Sequence, residues 1–444
     1  MRVEPFVCYR PSPVRAGEFA SLPYDVFDRE EAAAYVADHP TSFLAIDRPE
    51  TSFPPDHDMY APEVYAKAAE LLRDRVADGT LLRDTTPCYY LYRLVQGDHA
   101  QVGVVAACAL DDYAGGVIKR HELTHPEKEL DRVRHIEATG CQTGPIYLAY
   151  QDDQTLEALV SAAMSASPLY GFTNEQDVRE TVWRIARPAA VEAFRMMFSY
   201  VPCAYIADGH HRAASAARVC QEMRTKAGDQ VTGANPYDYL LCVLFPESQL
   251  TIMPYHRMVA DTNGLGEDEL VAALEGEGFH VSARQDDPIM PERAGRFGMH
   301  AFGAWRELRF SASEPSEEDA PASDPVKSLD VSILQDHALA PILGVEDPRS
   351  DPRISFVGGL VSAVDVAEQA GADGIAFTLF PTSMREVMTV ADAGLLMPPI
   401  SVASSSHCIA RSCGVGNFSA ITRLPASSRA RPCRVVRLPG TVWP

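Results

Sequence analysis

Apolar positions along this chain recur with two distinct periods. Between residues 61 and 79, Val64, Ala68, Leu71, Leu72 and Val76 fall three or four apart and share one face, the spacing of an amphipathic helix. Residues 30–37 and 153–166 read as helical, and 174–185 as helical at least in part. Residues 88–95 and 101–110 read as strands on either side of a turn at Gly97-Asp98, and the unbroken apolar run at 239–245 reads as a buried strand. Strands and helices that interleave in this way predict an α+β (mixed α/β) architecture. The expected core unit covers residues 1–260. A second, smaller α+β unit is expected over 261–399, opening on the helix start Glu267-Asp268-Glu269-Leu270-Val271. Within it, 312–326 is rich in Ser, Glu, Asp, Ala and Pro and reads as a mobile loop or linker.

Composition narrows the function classes. No run of about 18 apolar residues suggests a membrane span. The opening Met1-Arg2-Val3-Glu4-Pro5 has no apolar signal core behind it. The ten cysteines lack any Cys-x-x-Cys pair, so the expectation is a cytoplasmic protein with reduced thiols. A net charge of −22 argues against a nucleic-acid partner, which needs a basic face. It leaves phosphate ligands open, because a local cation cluster can focus potential within an acidic protein. Residues 400–444 differ from the rest. They hold no Asp, Glu or Lys but six arginines, eight serines and three cysteines. They read as a disordered basic tail, an added interaction arm or an out-of-frame product; the abrupt shift favours the last.

The most informative segment is Asp208-Gly209-His210-His211-Arg212. A short apolar strand, 203–207, meets one glycine and then an alanine-rich helix. A helix start leaves backbone N–H groups unpaired and carries partial positive charge, so it suits an anion. Gly209 allows a sharp turn and close approach of a ligand. Two imidazoles and a guanidinium at the same point suggest a phosphate cradle, although a solvated helix cap has the same residues. A second island, Ile118-Lys119-Arg120-His121-Glu122, continues through Lys128, Asp131, Arg132, Arg134 and His135. Cations with interspersed carboxylates suit phosphoryl transfer, and they also suit a salt-bridged surface helix. A third patch, Pro254-Tyr255-His256-Arg257, reads either as a ligand wall or as an edge strand with polar ends. Asp25, in Pro23-Tyr24-Asp25-Val26, follows a rigid turn and reads as structural or catalytic. His121-Glu122-Leu123-Thr124-His125 formally matches the zinc-protease pattern, but Pro126 biases His125 away from the helix that pattern requires.

Taken in order, Pro23-Tyr24-Asp25-Val26, Arg48-Pro49-Glu50, Lys119-Arg120-His121-Glu122, Gly144-Pro145-Ile146, Trp183-Arg184-Ile185, Asp208-Gly209-His210-His211-Arg212, Tyr255-His256-Arg257 and Asp351-Pro352-Arg353 through Gly359 resemble the bacterial family catalogued as domain of unknown function 1015. The resemblance extends over about residues 1–399. It implies a phosphate-binding core of the ParB/sulfiredoxin-like superfold and a kinase of free L-serine giving O-phospho-L-serine. The implied donor is ATP, ADP or pyrophosphate, with Mg²⁺. It places Asp208, His210, His211 and Arg212 at the donor phosphates, with Lys119, Arg120, His121 and Glu122 as a second wall; Gly209, His256 and Arg257 are further candidates for phosphate binding. Glu122 is the first choice for the carboxylate that activates the serine hydroxyl and Asp25 the second; Asp208 would hold Mg²⁺, and His210 or His211 would donate to the transferring group. The alternatives are a nucleotide-gated switch without metabolite phosphorylation, and a scaffold that binds no phosphate. The sequence departs from the family pattern after Pro399, in agreement with the out-of-frame reading of the tail.

Overall fold

The computed structural model describes residues 1–228, 235–310, 324–359, 361–398 and 422–423. Most of the segment expected to be a mobile loop (312–326) and nearly all of the atypical tail lie outside the described residues. The first sheet has nine strands: β1 (Val3–Glu4), β2 (Tyr89–Gln96), β3 (His99–Ala109), β4 (Ile118–Lys119), β5 (Ile146–Tyr150), β6 (Tyr170–Thr173), β7 (Arg179–Ile185), β8 (Ala204–Asp208) and β9 (Tyr239–Pro246). Its spatial order is β4-β8-β5-β9-β3-β2-β7-β6, with β1 pairing on β3. The architecture is therefore mixed α+β, as expected.

Strand β9 explains why its sequence carries no alternation. Leu240, Cys242 and Leu244 enter one core, and Leu241, Val243 and Phe245 enter another. Both faces are covered, so polar residues have no place on either. One face is covered by α3 (Pro126–Thr139), α4 (Gln154–Met164), α5 (Pro188–Tyr200) and α6 (His210–Ala227), which follow α1 (Arg29–Asp38) and α2 (Pro62–Ala77) in the chain. Helix α6 contributes Ala213, Ala216, Val219 and Cys220, a helical stripe of small residues. In α2 the expected stripe is buried at Val64, Ala68 and Leu72, whereas Val76 is exposed. The expected helical character of 174–185 is corrected. Residues 179–185 are strand β7, in which Glu180 and Val182 point inward at a period of two.

The second sheet has six strands: β10 (Tyr255–Val259), β11 (Phe279–Val281), β12 (Arg296–Ala301), β13 (Ala304–Phe310), β14 (Ile354–Gly358) and β15 (Ile375–Leu379). The order is β11-β13-β12-β15-β10-β14. Strand β10 lies inside this sheet, between β14 and β15, so the edge-strand reading of Pro254-Tyr255-His256-Arg257 is corrected. The division expected at residue 260 thus falls after the first strand of the second sheet; we place it between Pro246 and Tyr255. Helices α7 (Glu267–Gly276) and α8 (Ala363–Ala370) belong to this half, and α9 (Met384–Asp392) serves both. Met384, Met388 and Ala391 of α9 enter the core beneath the first sheet, while Val387 and Val390 enter the core of the second. No helix among the described residues is long and apolar enough to cross a membrane.

Because α9 is the common layer, Met388→Ala should lower global stability by about 2–5 kcal/mol, the usual cost of truncating a buried Met. Chemical denaturation followed by far-ultraviolet circular dichroism checks this. A loss below about 1 kcal/mol would deny α9 that role.

Candidate active site

Topology brings the sequence motifs together. Strands β4 and β8 are parallel neighbours, with Ala204 opposite Ile118 and Tyr205 opposite Lys119. Their C-terminal ends therefore share one edge of the sheet, where ligands of open sheets usually bind. His121 and Glu122 follow β4 there, and Gly209, His210, His211 and Arg212 follow β8. Strand β5 runs antiparallel to β8, with Tyr147 opposite Asp208, so its leading residues Gly144 and Pro145 reach the same edge. Gly209 alone separates β8 from α6. Asp208 is buried, and Gly209 takes φ +97°, a conformation costly for residues with a Cβ. No side chain caps the start of α6.

The three side chains after Gly209 diverge by the helical turn. Arg212 folds back over the glycine. A Cβ added to Gly209 would stand 3.1 Å from Arg212 Nε, and one added to Gly144 would stand 3.3 Å from Nη1. The guanidinium donates to an Asp208 carboxylate oxygen and to the Pro145 carbonyl. His211 turns toward the start of α3, where its Nε2 accepts from the His125 backbone N–H at 3.0 Å. In a neutral ring that bond puts the proton on Nδ1. His210 turns inward, with Nδ1 3.3 Å from Glu122 Oε2 and its ring edge-on to His121 at 4.5 Å between centroids.

The imidazoles are not cations. Burial pushes His121 down to about 4 and His210 well below its usual value. Burial, with Lys128 and His125, brings His211 to about 4 against the opposing pull of Asp208. Of the three groups that follow Gly209, the guanidinium alone is a fixed cation, since desolvation close to fixed cations favours the neutral imidazole. Fixed positive charge comes from Arg212, from the exposed Lys128, which acts on Asp25, Glu122 and His211, and from Arg120, which acts on His210.

Three carboxylates face this edge. Glu122 is buried and pushed up to about 8, first by burial and then by Asp208. Asp25 enters from a 3-10 turn at Tyr24–Val26. The packing around it and the facing Asp208 push Asp25 up to about 6, while Arg212 and Lys128 oppose the rise; its side open to water moderates the effect. That turn is held in place by two arginines. Arg48 donates to the Tyr24 and Phe27 carbonyls at 2.8 and 2.6 Å, and the Arg132 guanidinium covers the Tyr24 ring at 4.3 Å. Beside Arg212 lies a cavity of about 30 Å³ lined by Tyr24, Asp47, Arg132, Thr143, Gly144 and Arg212, among others.

Several expected wall residues serve elsewhere. Lys119 pairs with Asp392 of α9 at 2.6 Å, and Tyr205 donates to the same carboxylate at 2.7 Å, so Lys119 joins the two halves of the chain. His256 and Arg257 lie within the second sheet. His256 Nδ1 accepts from Leu379 N–H at 3.1 Å, and the Arg257 guanidinium lies over the rings of Tyr255 and Phe356. Sequence reading missed Tyr24, Asp47, Thr143 and Tyr147 at this edge. A lone Asp, Thr or Tyr carries no spacing signal, and only the fold assembles them.

The chain belongs to the family described as protein of unknown function DUF1015, whose family model matches residues 3–332. No curated protein matches it. Among solved structures it is similar to a C-terminally truncated SbnI from Staphylococcus aureus, at 13% identity over 72% of this chain and 87% of that one, with a TM-score of 0.32. It is similar to a free serine kinase in complex with AMP, at 14% identity over 66% and 84% of the two chains, with a TM-score of 0.30. A conserved hypothetical protein from Pyrococcus furiosus gives 14%, 66%, 88% and 0.28. Likenesses this loose place no residue.

Arg212→Ala should cost about 3–5 kcal/mol of stability, because it strands the buried Asp208 carboxylate. Asp208→Asn added to Arg212→Ala should recover part of that loss. Thermal and urea unfolding of the cycle check it, and strict additivity of the two changes would deny the coupling.

Proposed function

We propose that the protein transfers a phosphoryl group to the hydroxyl of free L-serine, giving O-phospho-L-serine, with ATP, ADP or pyrophosphate as donor. The same reading assigns the first sheet to the ParB/sulfiredoxin-like superfold and the second sheet, from Tyr255 onward, to an accessory unit. The acceptor and donors rest on the family resemblance. The observation that supports the chemistry is the pair Asp25 and Asp208, facing each other beside Arg212 at an uncapped helix start.

Phosphoryl transfer needs positioning and charge neutralisation more than covalent chemistry. The backbone N–H groups at the start of α6, with Arg212 and Lys128, would hold donor oxygens. Asp25 replaces Glu122 as the preferred proton acceptor, because the Glu122 carboxylate is turned to His210 while Asp25 faces the Arg212 side of the pocket. Asp208 Oδ1 is buried without a hydrogen-bond partner, an oxygen suited to Mg²⁺, which would neutralise charge on the donor when bound. The small cavity beside Arg212 has both charge signs in its wall, Asp47 and Arg132, and suits a small zwitterion.

The test is direct. Incubating the protein with Mg²⁺, L-serine and each donor in turn should give phosphoserine by mass spectrometry. Asp25→Asn should lower turnover about 10²–10⁴-fold while nucleotide binding persists. Binding or hydrolysis of nucleotide with no phosphoserine from any donor would instead identify a switch, and no binding of phosphate ligands a scaffold.

The reaction should also depend on pH in a fixed direction. The acceptor form of Asp25 is its carboxylate, so kcat/KM should fall as pH drops through about 6. The groups facing Asp25 are Asp208, Arg212 and Lys128. A flat profile between pH 5 and 8 would remove Asp25 from the role.

A further inference from the structure

The geometry points to a binding site for a divalent transition-metal ion, of the zinc type, formed by His121, Glu122 and His210. It stands apart from the Mg²⁺ expected at the phosphates and does not depend on serine being the acceptor. Each of the three residues is at least nine-tenths buried. His121 Nδ1, Glu122 Oε2 and both ring nitrogens of His210 are buried with no hydrogen-bond partner. Buried polar atoms are normally satisfied, and four unsatisfied ones at a single point call for an explanation. One donor atom from each residue lies within 4.8 Å of the others, and Glu122 Oε2 stands 3.3 Å from His210 Nδ1. Ligands of a tetrahedral zinc ion lie roughly 3.3 Å apart, so a small inward adjustment completes the set.

Two imidazoles and one carboxylate select zinc, manganese or ferrous iron over Mg²⁺, which prefers oxygen. Three protein ligands leave at least one position for water or a bound ligand. The sequence pattern His121-Glu122-Leu123-Thr124-His125 pairs the wrong histidines. His125 is exposed at the start of α3, and the second imidazole comes from His210, 89 residues after His121 and beside it because β4 and β8 are parallel neighbours. The backbone fixes both ends of the set. The His121 carbonyl accepts from Met397 N–H at 2.8 Å, and His210 is the first residue of α6.

The experiment uses the untagged full chain after treatment with a chelator and its removal. Zn²⁺ titration by calorimetry should give one site per chain, and added Zn²⁺ should raise the thermal midpoint. Co²⁺ should give the visible absorption of a four- or five-coordinate ion with nitrogen and oxygen donors. Separate Glu122→Gln and His121→Gln variants, shown to be folded by circular dichroism, should each weaken Zn²⁺ binding by roughly 100-fold or more, beyond the 10–100-fold typical of losing an outer-shell partner. His210→Ala serves as the third arm if either variant fails to fold. The absence of stoichiometric binding by Zn²⁺, Co²⁺ and Mn²⁺ would overturn the site. So would unchanged affinity in the folded variants, or a thiolate-to-cobalt charge-transfer band, which would assign the ion to cysteines.

Discussion

The ion pair between Arg212 and Asp208 is the interaction on which the sheet edge depends. Both groups are largely desolvated, and each would be costly alone. They meet because Gly209 takes a left-handed turn that lets Arg212 curl back over its own helix start. Once there, the guanidinium also reaches the Pro145 carbonyl and thereby ties β5 to β8 at the point where the sheet opens. Asp208 in turn influences Asp25, Glu122 and His211. Most of the charge logic of the pocket passes through this carboxylate.

Around that pair, structure and chemistry are divided among the family motifs. In Arg48-Pro49-Glu50, Arg48 holds the turn that presents Asp25. Trp183-Arg184-Ile185 places Arg184 on Asp84, which also binds Arg10 and Tyr90 in a buried network. Arg353 pairs with Asp351 and Asp261 near the entry to β14. Such motifs stand out in a sequence as charged residues in odd places, the same signal a catalytic residue gives. Buried ion pairs and catalytic groups share one physical requirement, a charge held away from water by specific partners.

This overlap explains what could be read from the sequence. The helix of α2 and the strands β2, β3 and β9 carry their period in the residues themselves. The strand–glycine–helix junction at 208–212 was legible because a glycine and a helix start impose the same local geometry anywhere. Segment 179–185 was not, because Val182, Trp183 and Ile185 fit either period at that length. Nor was the direction in which His210, His211 and Arg212 point. Consecutive helical residues lie about 100° apart, so three neighbours in sequence serve three different partners. His256 and Arg257 resembled the cradle in composition, yet long-range pairing put them in the other sheet.

The charge balance at the edge then constrains what can enter. With the imidazoles neutral and Glu122 pushed up to about 8, the near cations Arg212, Lys128, Arg120 and Arg349 are set against Asp25 and Asp208. Arg212, the buried cation, is already paired with Asp208, so it offers reduced attraction to a polyphosphate bearing several negative charges, within a chain whose net charge is −22. The backbone N–H groups of α6 supply only about half a positive charge. An anionic donor would therefore have to arrive with its own cation or meet one already held beneath the pocket. The unpartnered oxygen of Asp208 and the unpartnered nitrogens of His121 and His210 are the groups placed to receive it. Neutral imidazoles, which weaken the case for a simple cationic cradle, are for the same reason free to offer lone pairs to a metal.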